Sequence, residues 1–257
     1  MNAEFPRAST ATPRLTFIES TGSTNADLRA HAADEGWPHF AALFTRDQTA
    51  GRGRLDRTWA APRDSALAIS VLLRELPSTP TARGWIPLAA GAAMSEAIAA
   101  QLPAHDVAVK WPNDVLVDGG KICGILAEAA SDAVIVGSGV NTAMTAEQLP
   151  IPTATSFAVL GVRVDEDRLI SDYLHLLNGH LAALIAVGDA RDSGLHSTVT
   201  ERCATLGKTV TVSMPGGATL QGVASSIDSD GRLIVRSAGQ EHAISAGDVV
   251  HVRPAAS

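Results

Sequence analysis

The chain has 257 residues, 46% hydrophobic and 18% charged. That is enough for one medium domain with a smaller one beside it, and for a core of ordinary size. The formal net charge of -7 argues against a protein built to grip nucleic acid, which needs a basic face. The two cysteines, Cys123 and Cys203, belong to no metal-type spacing, and His175 and His180 miss the i,i+4 separation of paired helix ligands; the thiols suit a reducing cytosol.

In chain order, residues 1–13 are polar and Ala/Thr-rich, lack the apolar segment of a secretory signal, and read as a flexible leader. Residues 14–19 have strand composition. Ser23-Thr24-Asn25 opens a helix, with Thr24 and Asp27 as a capping-box-like pair and Leu28 facing inward. A strand is expected over 40–46 and a loop over 48–63. Residues 66–74 form a buried strand, and an Ala-rich helix follows over 83–101. The most membrane-like stretch, 85–102, contains Pro87, Ser95, Glu96 and Gln101 and fits a buried helix better than a membrane span.

Strands over 107–117 and 120–128 meet at Asp118-Gly119-Gly120, whose chemistry suits a tight hairpin. Another strand covers 132–140, and helices fill 165–187 and 192–205. After Gly207 short strand-like runs alternate with turns: 208–214, 219–227, 231–236, 240–244 and 248–252, with Pro215-Gly216-Gly217 and Asp230-Gly231 between them. These imply a separate small β-barrel over 207–257, behind a larger domain over 14–206. Its four basic residues, Lys208, Arg232, Arg236 and Arg253, balance four acidic ones, Asp228, Asp230, Glu241 and Asp248.

Four clusters carry chemical potential. The first runs from Gln48 to Trp59. Gly51 and Gly53 allow sharp turns, Arg52 and Arg54 offer planar forks for carboxylate and phosphate oxygens, and Gln48 to Arg63 holds four Arg against one acid. By itself a solvated basic loop explains this equally well. The second is Lys110-Trp111-Pro112-Asn113-Asp114 at a strand boundary, where a snorkelling Lys and a packed Trp suffice as an account. In the third, Gly120-Lys121-Ile122-Cys123-Gly124-Ile125-Leu126-Ala127-Glu128, Gly124 interrupts an apolar strand as close ligand approach would require. The fourth, Gly137-Ser138-Gly139-Val140-Asn141, lacks the third glycine of a dinucleotide fingerprint, and no P-loop occurs anywhere.

The ordered set is more specific than its parts. Ser23-Thr24-Asn25, then Gly51-Arg52-Gly53-Arg54 with Trp59, then Lys110–Asp114, then Gly120–Glu128, then Gly137–Asn141 closely resembles the biotin protein ligase family over about residues 14–145, and the small C-terminal domain also fits. The resemblance implies an α+β catalytic domain like the core of class II aminoacyl-tRNA synthetases, a mixed β-sheet with helices on one side. It also implies an ATP-dependent ligase that forms biotinyl-5′-AMP and passes biotin to a lysine of the biotin carboxyl carrier domain of a carboxylase. By the same resemblance Ser23, Thr24, Asn25 and Gln48 hold the polar end of biotin, with Gly51, Arg52, Lys121, Gly124, Gly137 and Gly139 around it. Arg54 retains the adenylate, Trp59 packs on adenine, and Asn113 and Asn141 lie near the nucleotide. Lys110 faces phosphate, Arg52 and Lys121 act in catalysis, and Asp114 helps the acceptor lysine attack.

Implied too are Mg²⁺ brought with ATP, no tightly bound metal, no DNA or membrane partner, a monomer or weak homodimer, and a cytoplasmic location. Only about thirteen residues precede the catalytic pattern, too few for the helix-turn-helix repressor domain that some relatives carry. Where many relatives have Arg-Gly, this chain has Leu55-Asp56. Two rival readings remain: a lipoyl or octanoyl ligase or transferase of the same fold, and a non-catalytic biotin sensor.

Overall fold

The computed structural model describes residues 4–55, 57–213, 218–245 and 248–251. Its first part runs β1 (Leu15–Phe17), α1 (Thr24–Ala30), β2 (Ala42–Thr45), β3 (Gly51–Arg52), β4 (Thr58–Trp59), β5 (Ala66–Leu73), α2 (Pro80–Arg83), α3 (Ile86–Ala99), β6 (Val107–Lys110), β7 (Asp114–Val117), β8 (Gly120–Ala130), β9 (Ala133–Asn141), α4 (Glu166–Val187) and α5 (Leu195–Glu201). Seven strands form a mixed sheet in the order β1-β2-β5-β9-β8-β7-β6, with β1 and β2 parallel and the remaining neighbours antiparallel. The loop expected over 48–63 contains its own small hairpin, β3 paired with β4.

Alternation along β5 explains the layers. Leu67, Ile69, Val71 and Leu73 enter the main core with α3 and α4, whereas Ser70 and Leu72 face α1. Both faces are therefore covered, which corrects the expected one-sided arrangement: α1 packs against β2, β5 and β9 from the side opposite α3. It covers only part of that face, and the uncovered part becomes the floor of a cavity. α4 is long and apolar enough to cross a membrane by length and composition. Its Leu169, Ile170, Tyr173, Leu174, Leu177 and Leu181 nevertheless lie in the core against α3.

Residues 107–117 do not form one strand. Pro112 has no N–H to continue a ladder; the Trp111–Pro112 peptide is cis, and the chain folds back so that Lys110 pairs with Asp114. At the next reversal Asp118 and Gly119 both have positive φ, 49° and 79°, as a two-residue type I′ hairpin requires.

The leader assignment is also corrected. Phe5 is buried edge-on against Phe44, and Ala8 begins a short 3-10 turn, Ala8–Thr10. The N–H groups of Arg7 and Ala8 both donate to the Asp167 carboxylate, at 3.1 and 2.9 Å. The aromatic ties the segment to β2 and the cap ties it to α4; residues 1–3 lie outside the described set.

The C-terminal strands are β10 (Thr209–Ser213), β11 (Thr219–Ile227), β12 (Leu233–Ser237), β13 (Gln240–Ile244) and β14 (Asp248–His251). They form one antiparallel sheet ordered β13-β12-β11-β10-β14. Among the described residues β13 and β14 do not pair, so closure into the expected barrel is not shown. The turn at Pro215-Gly216-Gly217 and Arg253 lie outside the described residues. The sheet shares its core with the larger domain: Val210, Val212, Leu233, Val235 and Val249 join the same apolar cluster as α3 and α4. Two indole donors fasten the β11–β12 hairpin, Trp85 Nε1–H to the Ser229 carbonyl at 2.8 Å and Trp111 Nε1–H to the Gly231 carbonyl at 2.9 Å.

Two predictions follow from this junction. Trp85→Phe and Trp111→Phe each orphan a carbonyl, at about 1–3 kcal/mol per site. Denaturant unfolding monitored by circular dichroism is expected to show that loss, and midpoints equal to wild type would refute the latch. His251 is half-buried beside Thr205 (3.1 Å), and burial, then the charges of Lys110 and Lys208, hold its imidazole below the usual histidine range. The unfolded chain binds this proton first, so stability is full above about pH 6.5 and falls as pH drops below it. Melting temperature measured from pH 7.5 to 5 is expected to decline less in His251→Gln than in wild type.

Candidate active site

The site begins at α1. Its N-cap is Ser23, one residue earlier than the expected Thr24: the Ser23 backbone is extended (φ −161°, ψ 120°) and its hydroxyl accepts from the Ala26 N–H. Asp27 accepts from the Thr21 hydroxyl at 2.6 Å instead of closing a capping box. Thr24 is thereby free to turn inward, where its N–H and hydroxyl both donate to Gln48 Oε1, at 2.9 and 3.0 Å. Beneath them the buried Ser70 hydroxyl lies 2.7 Å from Thr24 Oγ1 and donates to Asn25 Oδ1 at 2.6 Å.

Ser23, Thr24, Asn25 and Gln48 form one wall of a cavity of about 360 Å³, within the usual size of small-molecule sites. β8 and β9 supply its floor through Gly124, Gly137 and Gly139, and the β3–β4 hairpin leans over it. The glycines are needed for space. A Cβ on Gly137 would collide with the Asn25 amide, and one on Gly139 would lie 2.6 Å from the Trp59 ring. Trp59 thus lies against bare backbone, a flat slot beside Asn141. Gly51 does not line the cavity; it lets the hairpin close, because a Cβ there would meet Gln48 Nε2 and the Trp59 carbonyl.

Arg52, Arg54, Arg57 and Lys121 converge on the same space. Arg52 Nη2 is 3.1 Å from Glu128 Oε2, Arg54 Nη1 donates to Asn113 Oδ1 at 2.8 Å, and Lys121 Nζ is 2.6 Å from Asp114 Oδ1. Asn113 and Asn141 line the cavity while their Nδ2 groups donate to the carbonyls of Ile125 and Thr155, both at 2.9 Å. Lys110 does not line the cavity. It ends the edge strand β6, and its charge acts on His251 together with that of Lys208. The lysine placed for an anion in the cavity is Lys121, on β8.

Sequence reasoning passed over several lining residues. Arg57, Pro150, Ile151 and Cys123 line the cavity. Burial pushes the Cys123 thiol well up, so it offers no thiolate at neutral pH. Glu128 was quoted only as a motif letter, yet it holds Arg52. Ser70 touches the lining residues from below; the clue was one hydroxyl inside an apolar strand. Of the unusual pair Leu55-Asp56, Asp56 lies outside the described residues, and Leu55 lines the cavity mouth with φ 55°. Among the described residues no group of three or more His, Cys, Asp and Glu could hold a metal ion. A second groove of about 500 Å³, between Pro87, Trp111 and the Asp230–Arg232 hairpin, adjoins the cavity through Arg54, Asn113 and Ile125.

Comparison with known proteins agrees with this layout. Residues 16–141 match the sequence model of the Biotin/lipoate A/B protein ligase family, and residues 205–252 match the Biotin protein ligase C terminal domain. The chain is 40% identical over 243 residues to a biotin–[acetyl-CoA-carboxylase] ligase of Mycobacterium tuberculosis, covering 93% of this chain and 90% of that one. It is 31% identical to the enzyme of that name from Paracoccus denitrificans, covering 91% and 98%. A biotin protein ligase from Aquifex aeolicus in complex with biotin and ATP has the same fold, with a TM-score of 0.78 at 23% identity over 94% of this chain and all of that one. With two thirds and more of both chains aligned at this identity, and with the catalytic and C-terminal regions both matched, the chain belongs to the biotin protein ligase family.

Proposed function

We propose that this chain joins biotin to ATP as biotinyl-5′-AMP, releasing pyrophosphate, and then transfers biotin to a lysine of a biotin carboxyl carrier domain, releasing AMP. The observation that carries the reading is one cavity with three chemical parts. Its polar wall of Ser23, Thr24, Asn25 and Gln48 suits the ureido end of biotin, the Trp59 indole with Asn141 in the same lining offers a flat surface for an adenine, and Arg52, Arg54 and Lys121 line the same cavity.

The chemistry needs that order. A carboxylate does not acylate an amine at neutral pH, so it must first gain a leaving group. Both the attacking carboxylate and the α-phosphate are anionic, and fixed cations offset their repulsion. Lys121 leaves Asp114 for the incoming anion, and Asp114 is then an unpaired carboxylate beside the acyl phosphate. It draws in the acceptor's ammonium group and takes its proton before attack. Mg²⁺ brought with ATP would offset the charge of its phosphates. The hairpin over Arg52 and Arg54 keeps water from the anhydride. Free buried thiols at Cys123 and Cys203 suit a reducing cytoplasm.

The family model also covers lipoate ligases, so the acid must be tested directly. ATP–pyrophosphate exchange is expected with biotin and not with lipoate or octanoate. Exchange driven by either of the others would move the chain to that sister activity, and biotin binding without exchange would make it a sensor. For the second step, Asp114→Asn is expected to slow transfer to the carrier lysine about a hundredfold or more while exchange persists. Transfer at the wild-type rate would sink the assignment of Asp114.

A further inference from the structure

Glu128 is a half-hidden carboxylate, its side chain 16% exposed, on the floor strand β8. Three donors share its two oxygens. Asn25 Nδ2 donates to Oε2 at 2.8 Å, Arg52 Nη2 lies 3.1 Å from the same oxygen, and Arg29 Nη2 reaches Oε1 at 2.8 Å. The contact continues through Asn25 Oδ1 to Ser70, then to Thr24 and Gln48. Arg52 is therefore linked to every residue of the polar wall except Ser23 by an unbroken chain of polar contacts.

The hairpin that carries Arg52 has only two residues per strand, and these pair only with each other. Such a ladder is too short to fix a side chain by itself. Arg29 and Arg52 differ in what else they can reach: Arg52 lines the cavity, whereas Arg29, on the outer turn of α1, does not.

We propose that Glu128 is a positioning residue that holds Arg52 at the cavity in the empty site, with Arg29 as the standing cation that keeps the carboxylate paired when Arg52 turns to a ligand anion. The inference rests on the reading of the cavity as a biotin site. It assigns a role to a residue outside the catalytic set: Glu128 touches no substrate and acts through Arg52. An arginine already oriented by its carboxylate partner loses less freedom when the acid arrives, so the gain appears as affinity.

The test is a double-mutant cycle on the full chain, read by calorimetric titration with biotin and by release of free acyl-adenylate in the absence of acceptor. Glu128→Gln keeps the shape and the Asn25 contact but removes the charge. It is expected to raise the biotin Kd roughly tenfold and to increase adenylate release, as loss of one charge-assisted contact implies. In an Arg52→Ala background the same substitution is expected to change neither, because the residue it positions is gone. Arg29→Ala is expected to shift both in the same direction but less than Glu128→Gln, because the carboxylate then loses its second partner only when Arg52 turns to the ligand. A wild-type Kd in Glu128→Gln would overturn the proposal. So would an undiminished effect in the Arg52→Ala background, or an equal effect from Arg29→Ala, which would mean that Glu128 only braces α1. Titration needs no turnover, so a wild type that binds biotin but shows no exchange removes the ligase reading and leaves the cycle readable. A wild type that binds no biotin overturns both.

Discussion

The Ser70 hydroxyl is fully buried in β5, where every neighbour along the strand is apolar, and its oxygen sits between Thr24 and Asn25. A buried hydroxyl without partners costs about 1–3 kcal/mol, so the first turn of α1 has one favourable register on the sheet. That register aims Thr24 at Gln48 and Asn25 at Glu128. Gln48 meets Gly51, and Glu128 meets Arg52, so the hairpin is located by the same two contacts. The polar wall and the cationic hairpin are thus consequences of a single buried oxygen, and the three floor glycines leave room for what lies above it.

Electrostatics gives the site a second constraint. Two unit charges at contact distance interact by several kcal/mol near a protein surface, and unpaired cations crowded in one cavity would repel one another. The chain meets this by pairing Arg52 with Glu128, Lys121 with Asp114 and Arg54 with the Asn113 amide oxygen. An anionic ligand replaces those partners instead of entering an uncompensated field. The two acidic partners also explain why a local excess of basic charge persists in a chain of net charge -7.

How much of this was legible in the sequence depends on whether the signal was local. Strand and helix limits were readable where periodicity and turn chemistry agreed, as at Asp118-Gly119 and over α4. The break at Pro112 was visible as a residue, but the reversal it begins requires a partner strand that only the fold supplies. Phe5 read as leader because one aromatic among polar neighbours carries no period. Closure of the C-terminal strands was inferred from their number, yet a barrel needs paired edges, and strand count does not encode that. Residues from each of the motifs come together in the lining of one cavity, and as runs of adjacent residues they were easy to pick out. Lys110 lies outside the cavity lining: standing two residues from Pro112 does not encode which side of an edge strand it takes. Glu128 and Ser70 act through contacts 76 and 45 residues away in the chain, a separation no motif spans.

The junction with the C-terminal sheet bears on the chemistry through Trp111. Its indole donates to Gly231, its backbone N–H donates to Thr205, and the next three residues are Pro112, Asn113 and Asp114. Asn113 in turn closes on β8: its Nδ2 donates to the Ile125 carbonyl and its own carbonyl accepts from the Ile125 N–H. The turn presenting Asn113 and Asp114 is therefore clamped at both ends, by the smaller sheet on one side and by the cavity floor on the other. A rotation of the C-terminal sheet would pull on Trp111 and shift the Asp114 carboxylate, which the proposed mechanism places within hydrogen-bond reach of an incoming amine. Because an error near 1 Å in such a group costs rate steeply, the C-terminal sheet would serve the proposed reaction through rigidity, and among the described residues none of its side chains lines the cavity.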